Sequence, residues 1–113
     1  MASDGIAANK VIDLELEAGA HEDFYVLAHS VICDPALEIS GHGTDFTVTV
    51  LRNGSAVAAP ISATGSFARV EVSGTHPPTA PPNPGPSLGF RITNTDAVRG
   101  SFSGAIAWTY GAR

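Results

Sequence analysis

Apolar and polar side chains take turns along most of the chain, and the alternation has period two. Over residues 10–18, Ile12, Leu14, Leu16 and Ala18 point one way while Asp13, Glu15 and Glu17 point the other. That is the pattern of a strand with one face in a core and an acidic face in water. Over residues 23–33, Phe24, Val26 and Ala28 alternate with Tyr25 and Leu27, but Val31 and Cys33 fall in the opposite phase. The slip near His29 and Ser30 predicts a bulge or bend. Asp34-Pro35 then predicts the end of that strand, because proline offers no donor to a ladder and restricts the residue before it. Leu37 and Ile39 mark a short strand that closes at Gly41-His42-Gly43.

Residues 44–52 carry the clearest alternation, with Phe46, Val48 and Val50 set against Asp45, Thr47 and Thr49. They run into Asn53-Gly54, which tolerates the positive φ angles of a type I′ turn, so residues 55–59 should return as the second arm of a hairpin. Residues 60–64 are ambiguous. Over 66–73, Ala68, Val70 and Val72 face inward and Arg69 and Glu71 outward. Residues 74–86 then hold Pro77, Pro78, Pro81, Pro82, Pro84 and Pro86, which starves the segment of donors and predicts an extended loop or arm. A strand follows through Leu88, Phe90 and Ile92, and Asn94-Thr95-Asp96 opens a turn ending near Gly100. The last strand, residues 101–110, puts Phe102, Gly104, Ile106, Trp108 and Tyr110 on one face. Its other face carries Ser101, Ser103, Ala105, Ala107 and Thr109, small enough for another surface to approach closely.

No stretch shows apolar residues at helical spacing over three turns. The pattern therefore predicts an all-β fold, a two-sheet antiparallel β-sandwich of jelly-roll or Greek-key type with about seven or eight strands. Residues 1–9 read as an N-terminal arm and 10–113 as one domain carrying the proline-rich loop at 74–86. Composition agrees: 113 residues with 43% hydrophobic and 15% charged side chains suffice for a single core.

Charge and cysteine usage narrow the function. The net charge is −5, and the basic residues Lys10, Arg52, Arg69, Arg91, Arg99 and Arg113 are scattered, so no phosphate-tracking groove and no nucleic-acid partner is expected. One cysteine, Cys33, excludes an intrachain disulfide and a cysteine-based zinc site. Residues 1–8 have neither the positive start nor the apolar run of a secretory leader. The apolar runs are far shorter than the roughly 20 residues of a membrane-crossing helix, so no membrane partner is expected.

The chemistry-bearing residues are dispersed. His21, His29, His42 and His76 occupy different segments without metal-ligand spacing, and surface or turn histidines explain them better than a metal site. His42 stands out between two glycines with Asp45 close behind, though a Gly-rich turn accounts for the same residues. Asp13, Glu15 and Glu17 form an acidic stripe on one strand face. A glycosidase pair or a calcium site would use such carboxylates, but a solvated face that discourages edge pairing is the simpler reading. Cys33 reads as a structural thiol. Asn53-Gly54-Ser55 matches a glycosylation triplet, which the hairpin turn explains better. No nucleophile elbow, phosphate loop or dinucleotide fingerprint occurs, so neither an enzyme nor a cofactor is expected. Among the aromatics, Trp108 shares its face with Phe102 and Ile106 and is expected in the core. Tyr25 and Tyr110 are candidates for contact with a partner or a sugar ring.

The unsignalled N-terminus, the hairpin over 44–59, the proline-rich 74–86 segment and the Asn94-Thr95-Asp96 turn leading into the 101–109 strand together give a chain that resembles small β-sandwich structural proteins of tailed bacteriophages, in particular capsid decoration (cementing) proteins and related head or tail accessory domains. The resemblance is one of architecture over most of the chain, and it transfers no functional residue. It implies a non-enzymatic virion component that binds the major capsid protein or another virion protein, stabilises the capsid surface and forms a homo-oligomer, with a trimer the expected state. Residues suited to partner contact are Pro77, Pro78, Pro81, Pro82 and Pro84 with Tyr25 and Tyr110. The alternative is a carbohydrate-binding module, in which Tyr25, Trp108 or Tyr110 stacks on a glycan and Asp45, His42 or Asn94 supplies hydrogen bonds. A weaker third reading is a small hydrolase built on Asp13, Glu15 and Glu17.

Overall fold

A computed structural model describes residues 7–63, 67–78 and 87–110. The ten strands are β1 (Ala7–Leu16), β2 (His21–Val26), β3 (Ile32–Ser40), β4 (Phe46–Arg52), β5 (Ser55–Ala56), β6 (Ile61–Ala63), β7 (Phe67–Glu71), β8 (Thr75–His76), β9 (Leu88–Asn94) and β10 (Gly100–Tyr110). They form two five-stranded antiparallel sheets. The first is ordered β1-β10-β3-β7, with β8 also on β3, and the second β2-β9-β4-β5, with β6 also on β4.

The count exceeds the expected seven or eight because two strands are interrupted. β5 and β6 both pair with the same edge of β4, at Leu51–Arg52 and at Phe46–Val48. Between them Pro60, which has no N–H, lies in a stretch that leaves the ladder. β7 and β8 likewise share one edge of β3. Joining each pair leaves eight strands whose chain positions are 1-8-3-6 in one sheet and 2-7-4-5 in the other, the winding of a jelly roll.

The core is the inward set read from the alternation. Ile12, Leu16, Val26, Leu37, Ile39, Phe46, Val48, Leu88, Phe90, Ile92, Phe102, Ile106 and Trp108 form one buried cluster between the sheets, and the Phe46 and Phe102 rings meet edge to face at 5.5 Å. Each fully buried side chain of this size contributes about 1.5–3 kcal/mol, so the two facing layers dominate stability. Asn53 (φ 55°) and Gly54 (φ 83°) adopt the left-handed pair that the hairpin required.

Three local expectations need correction. Residues 23–33 do not form one bulged strand: β2 ends at Val26 and β3 begins at Ile32 in the other sheet, so the phase slip marks a change of sheet. Asp34-Pro35 does not terminate a strand either, because β3 runs through it. Ala107 pairs with Ala36 but Thr109 pairs with Cys33, so one extra residue stands on β3 at this point. Asp34 absorbs that bulge with φ 48°, and the missing N–H of Pro35 falls where the ladder is already broken. Finally, β1 starts at Ala7 rather than Lys10, so its first three residues come from the segment read as an arm.

Candidate binding face

The outward faces of the two sheets differ. On the first, β10 is flanked by β1 and β3 and presents Ser101, Ser103, Ala105, Ala107 and Thr109. Its register neighbours are longer on one side, Val11 beside Ala105 and Asn9 beside Ala107, and Glu38 stands beside Ala105 on the other. Short side chains between taller ones make a trough. At one end it opens into a cleft of about 460 Å³, where Ala36 and Ala107 are joined by Asn9, Asp34, Arg69, Glu71 and Thr109. That volume lies within the range of small-ligand or side-chain pockets. Val11, 74% exposed, and Phe67, 58% exposed, stand on the two edge strands of this face.

Ion pairs frame the trough. The Arg69 guanidinium donates to Glu38 and to Glu71, each at 3.1 Å, and these two carboxylates, Glu71 foremost, push its pKa further up. Both pairs are solvent-exposed and contribute little stability, but they hold long side chains upright at the cleft wall. Across the sheet Arg99 donates to Glu17 at 2.7 Å and also bonds Glu15. The acidic stripe is thus partly neutralised by a cation 82 residues away from Glu17 in the chain. Glu15 and Glu17 share one guanidinium on the surface.

His42 adopts φ 51° and its Nε2 lies 2.7 Å from Ser103 Oγ, while its backbone N–H donates to Ser40 Oγ at 3.3 Å. A serine and an imidazole at this distance are two members of a nucleophilic triad. No carboxylate among the described residues is hydrogen-bonded to His42, and the pair stands on the exposed sheet face. Among the described residues no three His, Cys, Asp or Glu side chains gather as a metal site.

The second sheet covers its own outward face. Arg91 grips Asp23 with two bonds of 2.7 and 3.0 Å, and this contact holds the Asp23 carboxyl below the usual aspartate range despite partial burial. Tyr25 is half-buried because its ring lies across Gly89. A β-carbon at Gly89 would come within 2.6 Å of that ring, and the phenol oxygen reaches toward Gly54. Leu51, paired with Gly89, is thereby fully buried although it is no part of the central core.

The residues expected at a partner or sugar contact are dispersed. Trp108 is in the core at 8% exposure, and its indole N–H finds no acceptor among the described residues. Tyr110 is half-buried and meets Trp108 edge to face at 6.4 Å. Pro77 is exposed and Pro78 half-buried, whereas Pro81, Pro82 and Pro84 lie outside the described residues. Asn94, a candidate sugar ligand, is fully buried and spends both amide hydrogens on the carbonyls of Leu16 and Val98. The surface features the structure adds are Val11, Phe67 and the Ala36–Ala107 trough, all on the outward face of the first sheet. The sequence held a signal for the first two: each is an apolar residue in an outward position among Asp13 and Glu15, or Arg69 and Glu71.

Neither a family model nor a curated protein matches the sequence. Solved structures do share the architecture. A family 35 carbohydrate-binding module from Clostridium thermocellum superposes with a TM-score of 0.50 at 14% identity, over 95% of this chain and 92% of that one. A chain of infectious bursal disease virus, Gt strain, gives a TM-score of 0.47 at 16% identity, over 96% of this chain and 32% of the viral chain. An exo-β-1,3-galactanase from Phanerochaete chrysosporium gives 0.44 at 12% identity, over 95% of this chain and 28% of that one. This chain therefore spans about a third of the viral and galactanase chains. At such identities the first of these likenesses supports a β-sandwich and nothing finer.

Proposed function

We propose that this chain is a non-catalytic assembly protein of the capsid decoration type, which docks on a shell of major capsid protein through the open face of its first sheet. One observation carries the reading: the outward row Ser101, Ser103, Ala105, Ala107 and Thr109 runs down the sheet between the exposed apolar side chains Val11 and Phe67. A flat row of small residues lets a partner's backbone approach closely, and flanking apolar groups supply area that gains by leaving water. On the opposite sheet Tyr25 and the Asp23–Arg91 pair occupy part of the outward face, and the exposed apolar residues Val57 and Ile61 lie along its β4 edge. Jelly rolls serve both in viral shells and in lectins, so the fold alone does not choose between those roles.

The carbohydrate reading ranks second because its stacking residues are taken into packing: Trp108 in the core, Tyr25 over Gly89 and Tyr110 against Trp108. In the docking reading Pro77 and Pro78 remain candidate contacts, as do Pro81, Pro82 and Pro84 outside the described residues and the partly exposed edges of Tyr25 and Tyr110. Oligomerisation, with a trimer expected, multiplies a modest contact by avidity.

The test is Ala105→Arg, which places a long cation in the middle of the trough without touching the core. Co-sedimentation with purified shells should fall by about tenfold or more, while thermal unfolding stays within a few degrees of the parent. Unchanged shell binding by this variant would sink the assignment of the face. Specific binding in a glycan panel, abolished by Ala105→Arg, would move the same face to the carbohydrate reading.

A further inference from the structure

Among the described edge strands, β1 alone is long. It pairs with β10 over ten consecutive residues, from Ala7 opposite Thr109 to Leu16 opposite Gly100, with no shift in register. Its other edge carries no strand among the described residues. The remaining edges are short or broken: β2 has six residues, β7 five, β6 three, and β5 and β8 two each. A long, straight edge offers a row of backbone donors and acceptors to another chain, which is why edges are so often shortened, bulged or charged. Val11, in the middle of β1, is the most exposed large apolar side chain among the described residues.

The charges on β1 leave that edge open. Lys10 is in phase with the buried Ile12, on the side of the strand where a charge bars a neighbour most effectively. Its ammonium is instead drawn across to the second sheet, where Nζ donates to the Tyr25 carbonyl at 3.3 Å and lies 5.8 Å from the centre of the Phe24 ring, both on β2. Asp13 and Glu15 point outward, and Glu15 is bonded to Arg99 of its own chain. The acidic stripe therefore does not forbid pairing as such. It forbids the registers that set carboxylate against carboxylate.

A second copy of this chain meets that restriction. Two β1 edges related by a twofold axis perpendicular to the sheet run antiparallel, and the side chains opposite each other share a face. With the axis at Val11, Val11 of one copy lies opposite Val11 of the other, Asn9 opposite Asp13, Lys10 opposite Ile12 and Ala8 opposite Leu14. Apolar meets apolar at the centre, and an amide donor meets each Asp13 carboxylate. An axis at Asp13 or at Lys10 opposes two like charges, an axis at Ile12 sets Val11 against Asp13, and axes nearer either end shorten the ladder. We infer that β1 is a homodimer edge, through which two copies join about a twofold axis at Val11 into one sheet that runs through both molecules.

This axis keeps the two outward faces on the same side, so the pair presents both β10 troughs to one surface. Only that consequence rests on the docking reading, and it makes shell binding bivalent. A twofold contact closes at two copies, whereas the resemblance to decoration proteins implies three, and the mass in solution separates them.

Sedimentation equilibrium of the full chain tests the contact. At about 100 µM protein in about 0.5 M salt, which screens the repulsion between copies, the parent should be a dimer. Val11→Asp sets two carboxylates opposite each other and should weaken the dimer about tenfold or more. Because Val11 is exposed, its replacement should leave the unfolding of the dilute, dissociated chain within a few degrees of the parent. The register has its own readout. In a Cys33→Ser background, Val11→Cys should give a disulfide-linked dimer on mild oxidation, since residues directly opposite in a ladder have Cα atoms about 4.5–5.5 Å apart, within disulfide reach. Asp13→Cys should stay unlinked, because its copy lies roughly 14 Å away along the strands. A dimer that ignores Val11→Asp and leaves Val11→Cys unlinked is built on another surface and overturns the inference, as does a parent that is monomeric or trimeric. None of these measurements uses shells, so shell binding that is indifferent to Ala105→Arg strikes the docking face and leaves the dimer edge standing.

Discussion

Asn94 and Asn53 place the same amide at opposite ends of the second sheet, and they use it differently. Asn94 is fully buried. Its amide hydrogens go to Leu16 and Val98, its oxygen accepts from the Asp96 N–H, and its backbone bonds Gly19 and Ala20. Every hydrogen-bonding group of the residue is bonded at about 2.9 Å. Asn53 is exposed, and among the described residues its oxygen takes the N–H of Ser87. A buried amide left half-bonded is costly, whereas an exposed one exchanges its partner for water at small net loss. The Asn94 amide is therefore the costlier of the two to lose, and the Asn53 amide the cheaper.

The strongest way to break this contrast is Asn94→Ala. It strands the Leu16 and Val98 carbonyls and the Asp96 N–H around a buried void, and should cost roughly 2–4 kcal/mol in urea unfolding. A loss well under about 1 kcal/mol would mean that water replaces the amide and that the two ends are energetically alike.

Next in size is Gly89→Ala, close to the Asn53 end. The added methyl would meet the Tyr25 ring at 2.6 Å and the Phe24 carbonyl at 2.9 Å, so ring and strand must both give way, for about 1–3 kcal/mol. Because much of that cost is displacement of the ring, the same substitution in a Tyr25→Ala background should cost less. A double-mutant cycle with no coupling would show that Tyr25 is not the cover of this face.

Period-two burial carried nearly the whole architecture, because each inward position between two sheets must be apolar whatever its partner. The facing rows of Phe46, Phe90 and Phe102 could be read before any contact was known. The strand breaks were less legible. Asp34-Pro35 looks like a terminator because proline lacks a donor, yet a bulge needs no donor at that point, and the Gly74 N–H that bonds Asp34 comes from 40 residues away. The acidic stripe is solvated as its alternation implies, but its pairing with Arg99 was not legible, because Arg99 lies across a turn and a strand order that local pattern does not encode. Asn94 looked like a turn residue because its burial depends on four segments meeting. Of the candidate face, the small residues of β10 were visible as a row, while the cleft depends on the pairing of Ala107 with Ala36.

Acid separates the two ends with the smallest effect. Asp96 accepts the backbone N–H groups of Asp45, at 3.2 Å, and Ala97, at 2.7 Å, and these bonds, the Asp45 one foremost, hold its carboxyl below the usual aspartate range. A depressed folded-state pKa means that the carboxylate's contribution is fully present above the ordinary aspartate value, about 3.9. It is lost as pH falls through the lower, folded value. Asn53 at the other end has no proton to gain. Between pH 5 and pH 2.5, amide exchange corrected for its intrinsic pH dependence should therefore accelerate at Asp45 and stay flat at Ser87. Asp96→Asn should remove the acid sensitivity at Asp45. Equal acceleration at both amides would show that acid loosens the sandwich as a whole, and that the Asn94 end owes nothing separate to the Asp96 carboxylate.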